Sequence, residues 1–232
     1  MLDTTNLLWY SSVVVELLFC LYLIWIGLAK SFPVFTSFMA LSVLASLGAI
    51  YFVHGASADR LPLSYTYYWL CVQPLLLVGQ IAVALEVHSS LWKGHEPIVR
   101  QARSLIVFAL LTALVAATLP IRVELKHAQA SPLIPMMHFV ILAKRYVSTV
   151  LVIFLLLSAV LFVIVVRDAF HSRQLLHEAM CAAYLGIYAV TAFIIEMEWG
   201  RNSAVNAYMA VAFTLCFVIW TSAFRPQDAP LE

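Results

Sequence analysis

Charge is scarce in this sequence. Lys, Arg, Asp and Glu make up 11% of the 232 residues, 13 basic against 12 acidic, so no basic face of the kind that holds nucleic acid can be assembled. Glycine is sparse too: the seven glycines are dispersed, and neither a phosphate-cradling loop nor a Ser-His-Asp arrangement can be drawn from them and the loop residues. Of cysteine there are four, Cys20, Cys71, Cys181 and Cys216. All fall in apolar stretches and none at the short spacing of zinc or redox sites, so they read as reduced packing residues. The first residues, Met-Leu-Asp-Thr-Thr-Asn, carry no base ahead of the apolar run, and no small-residue cleavage site follows. The first apolar segment is therefore expected to remain in the mature protein.

What is present is hydrocarbon. Hydrophobic residues reach 64% and the mean hydropathy is +0.96, far outside the soluble range. Spanning a bilayer core takes roughly 20 apolar residues in a helix. Seven runs of that order occur, at 7–29, 32–53, 65–88, 104–120, 135–166, 174–196 and 203–224. They are long and lack the alternation of an outer-membrane barrel. The expected fold is all-α, one bundle of seven transmembrane helices over residues 1–232 with no soluble domain. Pro33 marks the start of the second helix, and His95-Glu96-Pro97 the start of the fourth, whose first turns would be amphipathic. The polar stretch from Ile121 to Met137, with Pro132 and Pro135, is expected to be a loop.

Orientation follows from the basic residues of the connections. Lys30, Lys93, Arg100, Arg103, Arg167, Arg173 and Arg225 fall on one side, seven in all, and Arg60, Arg122, Lys126 and Arg201 on the other, four in all. This bias places the N-terminus outside and the C-terminus in the cytoplasm. Trp9, Tyr10, Tyr65, Tyr67, Tyr68, Trp92 and Trp199 are expected at headgroup level, whereas Trp25, Trp69 and Trp220 read as core. Ser42 with Ser46, and Ala182 with Gly186, would let the second and sixth helices approach their neighbours closely.

Ionisable groups inside a bilayer cost roughly 2.5–3.5 kcal/mol each on insertion scales, so they face the protein interior and find partners. Glu16 in the first helix and Lys144 and Arg145 in the fifth all lie about 14 Å from the outer end at 1.5 Å of rise per residue. An ion pair between Glu16 and one of the two bases is geometrically sensible. Gln73, Thr191 and Asn206 fall near the same level. Ser12, Glu16 and Cys20 form one stripe, His138, Arg145 and Thr149 another, and Trp69, Gln73 and Gln80 a third, beside Pro74. The expected site is thus an outer-leaflet polar cluster of Glu16, Gln73, His138, Lys144, Arg145 and Asn206. Adjacent bases diverge by about 100° on a helix and cannot both reach one carboxylate. A small anionic ligand, or a second acid such as Glu196 or Glu198, would complete the cluster. The competing reading is a buried structural pair with the other base snorkelling to the interface.

Other chemistries fare worse. Ser203 to Phe224 contains no lysine for a retinal Schiff base, and no Asp-Arg-Tyr or Asn-Pro-x-x-Tyr motif is present. Most of the seven histidines stand at helix ends, which argues against haem. His177-Glu178 is followed by Ala-Met-Cys and so lacks the second histidine of a zinc protease motif. Glu196 and Glu198 do not form the adjacent acid pair of an intramembrane protease. No cofactor, metal site or catalytic residue is expected.

The stretch Tyr65-Thr-Tyr-Tyr-Trp-Leu-Cys-Val-Gln-Pro, followed by Glu86-Val-His and by Pro97, resembles uncharacterised bacterial seven-helix membrane proteins. These carry a Tyr-rich start to the third helix, a polar residue mid-helix and an acid near its inner end. The resemblance covers the third and fourth helices. Where such families usually show an acid near position 73, this chain has Gln73. The resemblance implies a bacterial inner membrane and no particular activity. The expected function is recognition of a ligand or of a membrane-protein partner by a sensor-like bundle. A small proton-coupled secondary transporter and a structural subunit of a larger membrane complex are the alternatives.

Overall fold

The computed structural model of the chain describes residues 4–54, 63–127, 133–166, 173–196 and 203–223. Among them every regular element is helical: α1 (Thr4–Trp25), the single turn α2 (Leu28–Ser31), α3 (Pro33–His54), α4 (Leu63–Leu91), α5 (Glu96–His127), α6 (Leu133–Val165), α7 (Arg173–Glu196) and α8 (Ser203–Ala223). Four are long and apolar enough to cross a membrane, over Pro33–Val53, Leu63–Leu91, Glu96–Ile121 and Leu133–Val165. Shorter apolar stretches run over Tyr10–Trp25 and Met209–Ser222.

Two boundaries depart from the sequence pattern. The fourth apolar run, expected at 104–120, is the middle of a 32-residue helix that starts at Glu96 and continues to His127. Most of the expected loop is accordingly helical. Pro120 lies inside α5, and Pro135 occupies the first turn of α6, where its missing N–H has no intrahelical acceptor in any case. Proline therefore marked a helix start there rather than a loop. Two tight connections depend on glycine: Gly27 precedes α2 at φ 75° and Gly94 sits in the turn between α4 and α5 at φ 94°, backbone that side chains with a Cβ resist.

The helices divide into two compact units. The first holds residues 1–80 and 206–232, and α1 packs on α3 there, with α2 beside both. Its core is aromatic. The Phe19 ring lies 4.9 Å from Phe217 and 5.4 Å from Trp220, and Phe35 lies 4.9 Å from Trp220. The start of α4 approaches α3 closely, because the Tyr68 hydroxyl donates to the Ala45 carbonyl at 2.6 Å and a Cβ added at Gly79 would stand 2.6 Å from the Phe38 ring.

In the second unit, residues 81–205, α6 packs on both α5 and α7. Leu142, Val147, Ser148, Leu151, Leu155, Ser158 and Phe162 are buried in α6, at the spacing of one helix face. The opposite face, with Ile153, Leu156, Leu157, Val160 and Ile164, is exposed and equally apolar. Hydropathy does not distinguish the two faces, as expected where lipid rather than water lies outside. Leu91, Trp92, Val99 and Phe162 close one end of the unit.

Aromatic positions partly reverse their expected roles. Trp25, expected in the core, is 72% exposed, whereas Trp92, expected at the headgroups, is 0% exposed. Trp220 is core as expected. Trp92 follows α4 directly, and its ring folds back over Phe162 at 5.4 Å in an edge-to-face contact.

Candidate functional site

The expected polar residues fall in different units. Glu16, Gln73 and Asn206 belong to the first, and His138, Lys144 and Arg145 to the second. The side chains of Asn206 and Glu196, and the residues Glu198 and Trp199, lie outside the described residues.

Glu16 is buried on α1, as the stripe with Cys20 requires, and Cys20 is buried with it. Its carboxylate accepts a hydrogen bond from Ser46 Oγ at 3.4 Å, and Ser42 is the second hydroxyl facing it. The two serines, expected only to ease helix approach, thus hold the acid from one turn apart on α3. Gly186 differs again, since a Cβ added there meets nothing within 4 Å among the described residues, although Ala182 is buried.

On α6 the two bases settle on rings. Lys144 Nζ stands 4.4 Å above the Tyr188 ring of α7. Arg145 lies 4.6 Å from the Tyr146 ring and 5.8 Å from that of Phe193, and its Nη2 donates to the Tyr146 hydroxyl at 2.9 Å. The divergence of adjacent residues sends the two cations to different aromatic partners. Tyr184 and Tyr188 place their hydroxyls 3.2 Å apart on α7. Thr149, expected to share a face with Arg145, is exposed and returns its hydroxyl to the Arg145 carbonyl at 2.8 Å.

A second polar group, which the sequence pattern does not announce, centres on Ser158. Its Oγ lies 2.8 Å from His88 Nδ1 and accepts from Trp92 Nε1 at 3.0 Å. The Glu178 carboxyl of α7 faces the same hydroxyl, and neither of its oxygens completes a hydrogen bond with a described group. The indole can only donate, so the serine proton is left for the histidine or the carboxyl. His88 is 2% exposed and Glu178 0%, and Phe154 covers the imidazole at 4.8 Å. Arg103 is the charge acting on His88, tied to α4 through its bond to Ser89 at 3.1 Å.

A signal for this group existed in the chain. Lys144, Ser148, Leu151, Leu155, Ser158 and Phe162 follow a heptad-like spacing, so the serines marked the inward face of an all-apolar helix. In the sequence His177-Glu178 reads as a fragment of a metal motif, and Trp92 as a headgroup anchor. Among the described residues no three of His, Cys, Asp and Glu gather as a metal site. Comparison with protein-family models, characterised proteins and solved structures finds none that matches this chain.

Proposed function

We propose that the chain is a multi-pass protein of the bacterial cytoplasmic membrane, crossing it seven times with its N-terminus outside, and that it recognises a small anionic ligand through cationic side chains held within its helices. Four helices have the length and apolarity to cross a membrane, and α1, α7 and α8 complete the count. The excess of basic residues in alternate connections supports the orientation.

The observation that carries the recognition reading is the pair Lys144 and Arg145 on adjacent positions of α6, each resting on an aromatic face. Two like charges side by side in a membrane helix favour an anion beside them. Thermal melting of the purified protein against a panel of small anions and metabolites tests this. A ligand-specific rise in melting temperature that Arg145→Ala abolishes supports recognition. No rise for any compound, with Arg145→Ala strongly destabilised, supports the structural-subunit reading instead. The proton-coupled carrier draws its support from a different place, the buried acid and imidazole beside Ser158.

A further inference from the structure

Three helices bring ionisable or hydroxyl groups to one buried point: His88 from α4, Ser158 from α6 and Glu178 from α7. Trp92, in the turn after α4, closes it with its N–H on the serine oxygen. Each of the four side chains is at least nine-tenths buried. Three polar atoms here remain without a described partner: His88 Nε2 and both oxygens of Glu178. A buried polar atom left unpaired costs about 1–3 kcal/mol, and more when charged. Leaving three of them in a purely structural contact is a poor use of a helix interface that hydrocarbon side chains would fill.

We propose that Glu178, Ser158 and His88 form an intramembrane proton-binding site, in which Glu178 holds the proton and the Ser158 hydroxyl links it to the imidazole of His88. The inference is independent of the anion recognition proposed above, which rests on the other end of α6. The ligand is a proton, and the exchange balances. The carboxylic acid gives its proton to Ser158 Oγ while the serine's own proton passes to His88 Nδ1. A carboxylate and an imidazolium result, with the serine unchanged. Trp92 keeps the oxygen oriented, because its N–H occupies one lone pair and leaves the other for the transfer.

The groups around the site bear on where the charge can rest. On α5, Arg103 acts on His88 from the end where α4 finishes and repels an imidazolium. His177 neighbours Glu178 on α7 and is buried with it, while His95 meets Trp92 edge to face at 5.8 Å. α6 contributes the serine. Arg103 thus disfavours a standing charge on His88, and Glu178 is where the proton is held.

The full-length protein in lipid, followed by infrared difference spectroscopy between acid and alkaline buffer, gives the test. A carbonyl stretch of a protonated carboxyl is expected in the wild type, absent in Glu178→Gln and shifted in frequency in Glu178→Asp. Glu178→Gln should also bind one proton fewer per chain over the same pH change and retain its melting temperature, since the amide mimics the neutral acid. His88→Gln should keep the band and move the pH at which it disappears. An unaltered band in Glu178→Gln assigns the proton to another carboxyl, such as Glu16, and overturns the site. An unmoved titration in His88→Gln overturns the link through Ser158. Should Glu178→Gln fail to fold, loss of the wild-type band frequency in Glu178→Asp decides the assignment.

Discussion

Replacing Ser158 by alanine isolates the group at the heart of the second unit. The substitution removes one oxygen and almost no volume, so cavity formation contributes little. What it strands is polar: Trp92 Nε1 and His88 Nδ1 lose the atom they share at 3.0 and 2.8 Å. Two buried groups unpaired at about 1–3 kcal/mol each, less some relaxation, give a loss of roughly 2–4 kcal/mol. For a chain of this length that corresponds to a fall in melting temperature on the order of 5–15 °C, at about 2–4 °C per kcal/mol. Intrinsic tryptophan fluorescence during heating in detergent reads it. Trp92→Phe and the double variant complete a cycle, in which the second substitution should cost less by about 0.5–3 kcal/mol once the first is present. An unchanged or raised melting temperature in Ser158→Ala, or strict additivity, would refute the claim that this hydroxyl organises its neighbours.

Four further outcomes are expected. Gly79→Val should cost about 1–3 kcal/mol of overpacking, read as a lower melting temperature, and be relieved by Phe38→Ala, since its Cβ would stand 2.6 Å from that ring; a double variant no better than Gly79→Val contradicts the contact. Gly94→Ala should cost about 1–2 kcal/mol of backbone strain at φ 94°, read by the same melting assay, with no loss counting against the turn. A cycle of Lys144→Met with Tyr188→Leu should show a coupling of about 0.5–2 kcal/mol, and none if the 4.4 Å contact is incidental. Lys93→Cys should react with a membrane-impermeant thiol reagent only after the cells are permeabilised; labelling of intact cells would invert the proposed topology.

The helices were legible because apolar length is a direct demand of the bilayer, and the starts at Pro33, Glu96 and Ser203 lie within a residue or so of the expected ones. The end of α5 was not, since polar residues beyond Ile121 and the nearby prolines look alike in a loop and in a helix that outruns the apolar layer. Glu16 stood out as a lone acid in a long apolar run, and its burial followed from that cost alone. Its two serine neighbours were visible only as small residues. The Ser158 group was hidden for a different reason. Serine, histidine and tryptophan near a helix end are inexpensive at an interface, so nothing in the one-dimensional pattern separates a solvated end from a sealed one. Only the turn at Gly94, which folds Trp92 back over Phe162, makes the difference.

The contacts of Ser158 also impose an order on biosynthesis. Trp92 and His88 precede it by 66 and 70 residues, and Glu178 emerges after it. At a synthesis rate of about 5–20 residues per second, the 66 intervening residues take roughly 3–13 s. Throughout that interval an indole N–H and an imidazole wait at the end of a nascent helix without the hydroxyl they will share. Until α6 arrives, both groups need other hydrogen-bond partners. Truncated chains ending before Ser158 should therefore leave the α4–α5 hairpin more open to proteolysis than it is in the full-length chain.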